Sequence, residues 1–397
     1  MGKLSKIFTK KNLGYFLFIF VFLLICLEIF GRFYLTKVLQ KSTDQKFRFN
    51  SYRIYEHVPG FKEGDGKRNW IEINSQGFRR STETSIVKPK NTFRIFFLGG
   101  SAAHGISSSP PYPVVHIYPN ETVDAYLEKL LKEKYPQTNF EVINAAVTGY
   151  RTHQHTTYIL NELLDYNPDL VIFFDGANDH YITNPTHNQF TDNEYQFWKY
   201  RLQQPSFKGS FDYFMLWISK WSGFARGYLS WKMSKDAYTR TEVHYLIMKH
   251  ETEKSTIASH QYASKKNYLR SIETNITILK NNNIPSLISL QPMLVLRDTN
   301  LLSGEEKKWL HKDPSMQLLY PYVVKELGDL CKKHNTSFVD LIPSFNSKTE
   351  QSKQLFIDYC HLNAAGGEIV AKKLFSSVDS IYVNSKKNNE AEQSTLH

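Results

Sequence analysis

Cysteine is scarce: Cys26, Cys331 and Cys360 are the only three in 397 residues. That number excludes a disulfide-stapled fold, and no pair stands at metal-ligand spacing. Cys331 and Cys360 could bridge if their part of the chain lies outside the cytosol. The sequence also lacks a His-Glu-x-x-His pair, a Gly-x-Gly-x-x-Gly turn, and a lysine after Gly99-Gly100 that would make a phosphate loop. His153 and His155 stand two apart in a stretch patterned as helix, so they do not share a face. Zinc, nucleotide and other cofactors are therefore not expected. Acidic residues number 38 against 49 lysines and arginines, giving a formal net charge of +11. The lysines are scattered, no nucleic-acid motif occurs, and an anionic membrane surface is the simpler partner for that charge.

One long apolar run is present. Residues 1–12 form a basic segment carrying Lys3, Lys6, Lys10 and Lys11, and the run from Leu13 to Leu27 carries no charge. Glu28 interrupts it, and Ile29 to Leu35 continue with only Arg32 charged. A spanning helix needs roughly 20 mostly apolar residues. Residues 13–35 are thus expected to be a transmembrane anchor, with Glu28 near the far interface. A cleaved signal peptide is the competing reading, but no small-x-small site follows the run. The N-terminal lysines favour a cytoplasmic N-terminus, although Arg32, Lys37 and Lys41 reduce the asymmetry. The remainder is expected outside, as an extracytoplasmic domain of the cell envelope.

Residues 36–90 are polar and read as a linker or as a segment wrapping the next domain; Asn74 to Arg79 has the look of an ordered turn. From Phe93 strands and helices alternate, the pattern of a parallel sheet with covering helices. The run Phe93–Leu98 is apolar apart from Arg94, as expected of a strand covered on both faces. A helix over Glu121–Lys134 and a strand over Phe140–Asn144 follow, then a helix over Thr152–Leu164 and a strand over Asp169–Phe174. Residues 180–262 break the alternation with an aromatic-rich insertion, a candidate lid or substrate wall. Alternation resumes with a helix bearing Leu269, Ile272, Ile276 and Leu279, then a strand over Ile284–Leu290. A helix over Tyr322–His334, a strand over Ser337–Leu341 and a helix capped by Asn363 and running to about Phe375 complete the set. The polar tail 381–397 reads as disordered.

Strand ends thus offer Ser101, Gly149 and Asn178, and a late loop offers Asp358 and His361. A serine that attacks an acyl carbon needs a base titrating near neutrality, usually histidine, and a carboxylate to fix its tautomer. The oxyanion then needs preorganised donors, for which backbone N–H groups and a side-chain amide serve.

In order and in context these residues resemble the four sequence blocks of the SGNH (GDSL-like) hydrolase family, over about residues 93–376. The blocks are Gly99-Gly100-Ser101, Gly149 after Asn144-Ala145-Ala146, Gly176-Ala177-Asn178-Asp179, and Asp358-Tyr359-Cys360-His361. The resemblance implies a three-layer α/β/α sandwich with a parallel sheet, here over 91–380. It also implies Ser101 as nucleophile, His361 as base, Asp358 as its orienter, and Ser101, Gly149 and Asn178 as oxyanion donors. Gly100 departs from the pattern, standing where an aspartate usually precedes the serine. The implied activity is ester hydrolysis of acetyl or longer acyl groups on an envelope lipid or glycan. An O-acyltransferase using the same site is the alternative, and a non-catalytic envelope assembly protein a third.

Overall fold

The computed structural model describes residues 10–34, 46–50, 52–106, 115–181, 257–310 and 314–395, with short pieces between 214 and 228. Most of the insertion read at 180–262, with the lid role considered for it, lies outside the described residues. The chain forms two compact units, one of residues 1–44 and 191–253, the other of 45–190 and 254–397.

In the first unit, helix α1 (Lys10–Tyr34) contains an apolar stretch, Leu13–Phe33, with a mean hydropathy of 2.7. By length and composition it can cross a membrane. Glu28 is not left unpaired within it. Its carboxylate accepts hydrogen bonds from Ser222 Oγ and the Gly223 N–H at 2.7 Å, from the Phe224 N–H at 3.2 Å, and from Arg32 Nε at 2.8 Å. A Cβ at Gly31 would lie 2.5 Å from Phe224 Cα, so the helix meets residues 223–224 backbone to backbone.

The second unit begins with two antiparallel hairpins, β1 (Phe47–Asn50) with β2 (Ile54–His57) and β3 (Lys62–Gly64) with β4 (Asn69–Glu72). The segment after them is also folded: Phe78 is buried, the Asn74 N–H donates to Phe78 O, and the Arg79 N–H donates to Asn144 O. Five parallel strands follow: β5 (Thr92–Gly99), β6 (Asn139–Asn144), β7 (Leu170–Asp175), β8 (Ser286–Leu290) and β9 (Ser337–Asp340). Their order is β6-β5-β7-β8-β9.

Alternate residues of each strand enter opposite cores, which explains the unbroken apolar runs. Phe96, Leu98, Val171, Phe173, Ile288 and Leu290 face helices α3 (Thr152–Asn161), α4 (Arg270–Asn281) and α5 (Pro314–His334). Ile95, Phe97, Val142, Ile172, Phe174 and Leu287 face α2 (Val123–Lys134) and α6 (Ala364–Thr395). This is the expected three-layer α/β/α sandwich with a parallel sheet. Arg94 is fully buried, its Nε paired with Glu141 at 2.7 Å and a guanidinium N–H donated to Tyr166 O at 2.7 Å.

Several boundaries differ from the sequence reading. The helix expected to reach Leu164 ends at Asn161 and passes into a tight turn at Leu163–Tyr166. The last helix is capped as expected, with the Gly366 N–H donating to Asn363 Oδ1 at 2.9 Å. It runs on to Thr395, well past Phe375 and through most of the tail read as disordered. The reason is a single apolar edge: Val378 is buried, and Tyr382 packs on Phe93, Phe140 and Tyr135. Cys331 and Cys360 are buried free thiols.

Candidate active site

The strand order puts β6 on one side of β5 and β7 on the other, so consecutive connections leave the sheet in opposite directions. A crevice opens at the carboxyl ends of strands at such a point. Ser101, Gly149 and Asn178 follow the ends of β5, β6 and β7. Ser101 opens a one-turn helix, Ser101–His104, and Gly149 has a φ of +81°, which a side chain would strain. Among the described residues, the N–H groups of Ser101 and Gly149 make no hydrogen bond.

Asp358 and His361 lie on a loop closed by the Phe356–Leu362 bridge and by the Ile357 N–H donating to His361 O at 2.9 Å. A buried ion pair fixes the approach to that loop. Arg297 and Glu306 pair at 2.5 Å, both side chains fully buried, and Glu306 Oε1 accepts the N–H groups of Leu355 and Phe356 at 3.0 and 3.1 Å.

The structure brings Ser101, His361 and Asp358 into one hydrogen-bonded row. Ser101 Oγ is 2.7 Å from His361 Nε2, and His361 Nδ1 is 2.6 Å from Asp358 Oδ2. Asp358 Oδ1 accepts the N–H groups of His361 and Cys360 at 2.8 and 2.9 Å. Burial works against the Asp358 carboxylate, but the His361 charge and hydrogen bond and the two backbone donors outweigh it, so its pKa is lowered. Burial likewise opposes the His361 imidazolium; the adjoining Cys360 and Asp358 outweigh it and raise the His361 pKa well above its usual value. Donor atoms of Asp358, Cys360 and His361 lie within 4.8 Å of one another, a spacing that could hold a metal ion. Both imidazole nitrogens are, however, already engaged by Asp358 and Ser101.

Asn178 Nδ2 donates to Tyr150 O at 2.9 Å, leaving its second amide hydrogen for another acceptor. The same atom explains Gly100. A Cβ at position 100 would lie 2.3 Å from Asn178 Nδ2, so the residue before the serine must be small for the amide to sit there. His104, the histidine nearest Ser101 in sequence, is not part of the row. It is buried against His57, and burial drives its pKa well below the usual value.

Residues 97–206 match the family described as GDSL-like Lipase/Acylhydrolase. The chain carries a GDSL-like hydrolase domain. Asp358 and His361 of this hydrolase lie outside the matched residues. Among solved structures, the acetyl xylan esterase AlAXEase is similar at 15% identity and a TM-score of 0.41, covering 72% of this chain and 100% of that one. Axe2, an acetylxylan esterase from Geobacillus stearothermophilus, is similar at 14% identity and a TM-score of 0.39, covering 72% and 93%. None of the curated proteins matches the sequence.

Sequence reasoning did not find the buried polar groups behind the hydrolase's three strand ends. Asp179, next to Asn178, accepts Thr152 N–H at 3.2 Å and Thr152 Oγ1 at 3.1 Å. Burial and the nearby Asp175 carboxylate push its pKa up to about 7. Asp175 in turn pairs with His155 at 3.0 Å. The Asp179 of the Gly176-Ala177-Asn178-Asp179 block was the one sequence signal for this cluster. The Arg297–Glu306 pair gave none, because an arginine beside Asp298 and a glutamate within Glu305-Glu306-Lys307-Lys308 read as surface residues.

Proposed function

We propose that the protein is a membrane-anchored serine ester hydrolase that removes acetyl or longer acyl groups from an envelope lipid or glycan through an acyl-enzyme. Ser101 is the nucleophile, His361 the base, and Asp358 the group that orients it. The observation that carries this reading is the row Ser101–His361–Asp358, with its two hydrogen bonds of 2.7 and 2.6 Å.

As Ser101 Oγ attacks the acyl carbon, its proton passes to His361 Nε2, and the charge that develops on the imidazole faces Asp358. The carbonyl oxygen becomes an oxyanion held by the N–H groups of Ser101 and Gly149 and the Asn178 amide, each such donor being worth about 3–4 kcal/mol of barrier. His361 then returns the proton to the departing alkoxide. Water, activated by the same imidazole, cleaves the acyl-enzyme and regenerates Ser101.

The lysines before α1 support a cytoplasmic N-terminus and an extracytoplasmic hydrolase domain. We assign that domain to residues 91–380, preceded by 36–90 as a linker or wrapping segment. The test is a fluorophosphonate probe on the full-length protein: wild type labels and Ser101→Ala does not. Equal labelling of the two removes Ser101 from its role, and absence of labelling in both supports an assembly protein. With an acetylated glycan as donor, free acetate supports hydrolysis; acetyl groups appearing on an added glycan acceptor replace it with transfer.

A further inference from the structure

The Gly149 N–H and the Thr148 carbonyl are the two ends of one peptide unit, which is planar and trans, so they point in opposite directions. Whatever fixes the Thr148 oxygen therefore aims the Gly149 N–H. Tyr55, on β2, donates its hydroxyl to Thr148 O at 2.8 Å. The same hydroxyl occupies the space a Gly149 side chain would need, 2.7 Å from where a Cβ would stand.

The contact is built from both sides. Tyr150 donates its own hydroxyl to the Tyr55 carbonyl, and the two rings meet edge to face, 5.2 Å apart. Two residues before Tyr55, the Arg53 carbonyl accepts a hydrogen bond from Gln154 Nε2 at 2.9 Å. Arg53 is buried between Glu56 and Glu162, at 2.6 and 2.5 Å. The β1–β2 hairpin is thus locked onto the loop that follows β6. Nothing else described holds the Thr148–Gly149 peptide, whose N–H has no partner among the described residues.

We propose that Tyr55 is a positioning residue for the ester hydrolysis: it fixes the plane of the 148–149 peptide so that the Gly149 N–H points at the oxyanion. A hydrogen bond accepted by a carbonyl also polarises its amide, making the N–H a stronger donor. The hairpin that precedes the hydrolase domain is then part of the catalytic apparatus. This inference rests on the assignment of Gly149 as an oxyanion donor.

The test is Tyr55→Phe in the full-length protein, which keeps the ring and its stacking and loses only the hydroxyl. Its kcat on p-nitrophenyl acetate should fall about tenfold, as expected for a donor loosened but not deleted, with KM changed less than about twofold. The fluorophosphonate labelling rate should fall in parallel, since the phosphonyl oxygen occupies the oxyanion position. Tyr382→Phe, which loses a hydroxyl bond to Thr138 on the other face of the sheet, controls for stability and should leave kcat unchanged. If Tyr55→Phe melts lower, Tyr382→Phe is compared at a temperature where both are folded. Ser101-dependent turnover that Tyr55→Phe leaves intact, or that Tyr382→Phe reduces equally, overturns this inference alone. Absence of Ser101-dependent turnover and labelling in the wild type overturns the esterase reading as well.

Discussion

Asp358→Asn separates the orienting role of this carboxylate from its bulk. The variant keeps an oxygen for the two backbone N–H groups now 2.8 and 2.9 Å from Oδ1, so the loop retains its shape. It places an amide N–H where Oδ2 stood, 2.6 Å from His361 Nδ1. Two donors cannot face each other there. The imidazole turns to the tautomer with its proton on Nε2, the atom that must accept the Ser101 proton across 2.7 Å. By analogy with the same exchange in a serine protease triad, kcat should fall about ten-thousandfold, or about 5 kcal/mol at 1.36 kcal/mol per tenfold. The pH profile carries a second signature. The base must be neutral to act, and the wild-type His361 pKa is raised, so wild-type kcat/KM should climb with pH through a midpoint above about 6.5. Without the carboxylate charge, the midpoint of the residual activity should move down. The assay is p-nitrophenyl acetate hydrolysis from about pH 5 to about pH 9. A loss below about tenfold at neutral pH, or an unmoved midpoint, refutes the reasoning.

Glu306→Ala strands the fully buried Arg297 guanidinium and should lower stability by about 3–5 kcal/mol, read as a lower urea midpoint; an unchanged midpoint contradicts the ledger for that pair. Gly100→Ala puts a Cβ 2.3 Å from Asn178 Nδ2, so fluorophosphonate labelling should slow at least about tenfold while the melting point moves little. Labelling at the wild-type rate would show that the Asn178 amide does not need its present position.

Strands β5 and β7 were legible because each is a nearly continuous apolar run, as a strand covered on both faces requires; β9, Ser337-Phe338-Val339-Asp340, was legible only from its place in the strand–helix alternation. Ser101, Gly149 and Asn178 drew attention because they stand on the loops that follow β5, β6 and β7, and the structure brings Ser101 together with Asp358 and His361. The end of the last helix was not, since Val378 and Tyr382 contribute one buried edge to an otherwise polar stretch. Tyr55 was invisible for a different cause. It lies in a polar segment with no apolar period, and its partner is a backbone carbonyl 93 residues away that leaves no trace in residue types. The glycine at position 100 was visible, but its reason is the volume claimed by Asn178, which only coordinates reveal.

The long reach between partners has a consequence for how the protein is made. Strand β5 leaves the ribosome long before α6, the helix that contributes Val370, Ala371, Leu374 and Val378 to the core over Phe93, Ile95 and Phe97. Until α6 arrives, that face of the sheet is covered only by α2, and Ser101 waits for a histidine 260 residues further on. Chains in this state expose apolar surface and open strand edges, the species that chaperones bind. Synthesis should therefore deliver an inactive, holdase-dependent intermediate, and activity should appear in a single late step.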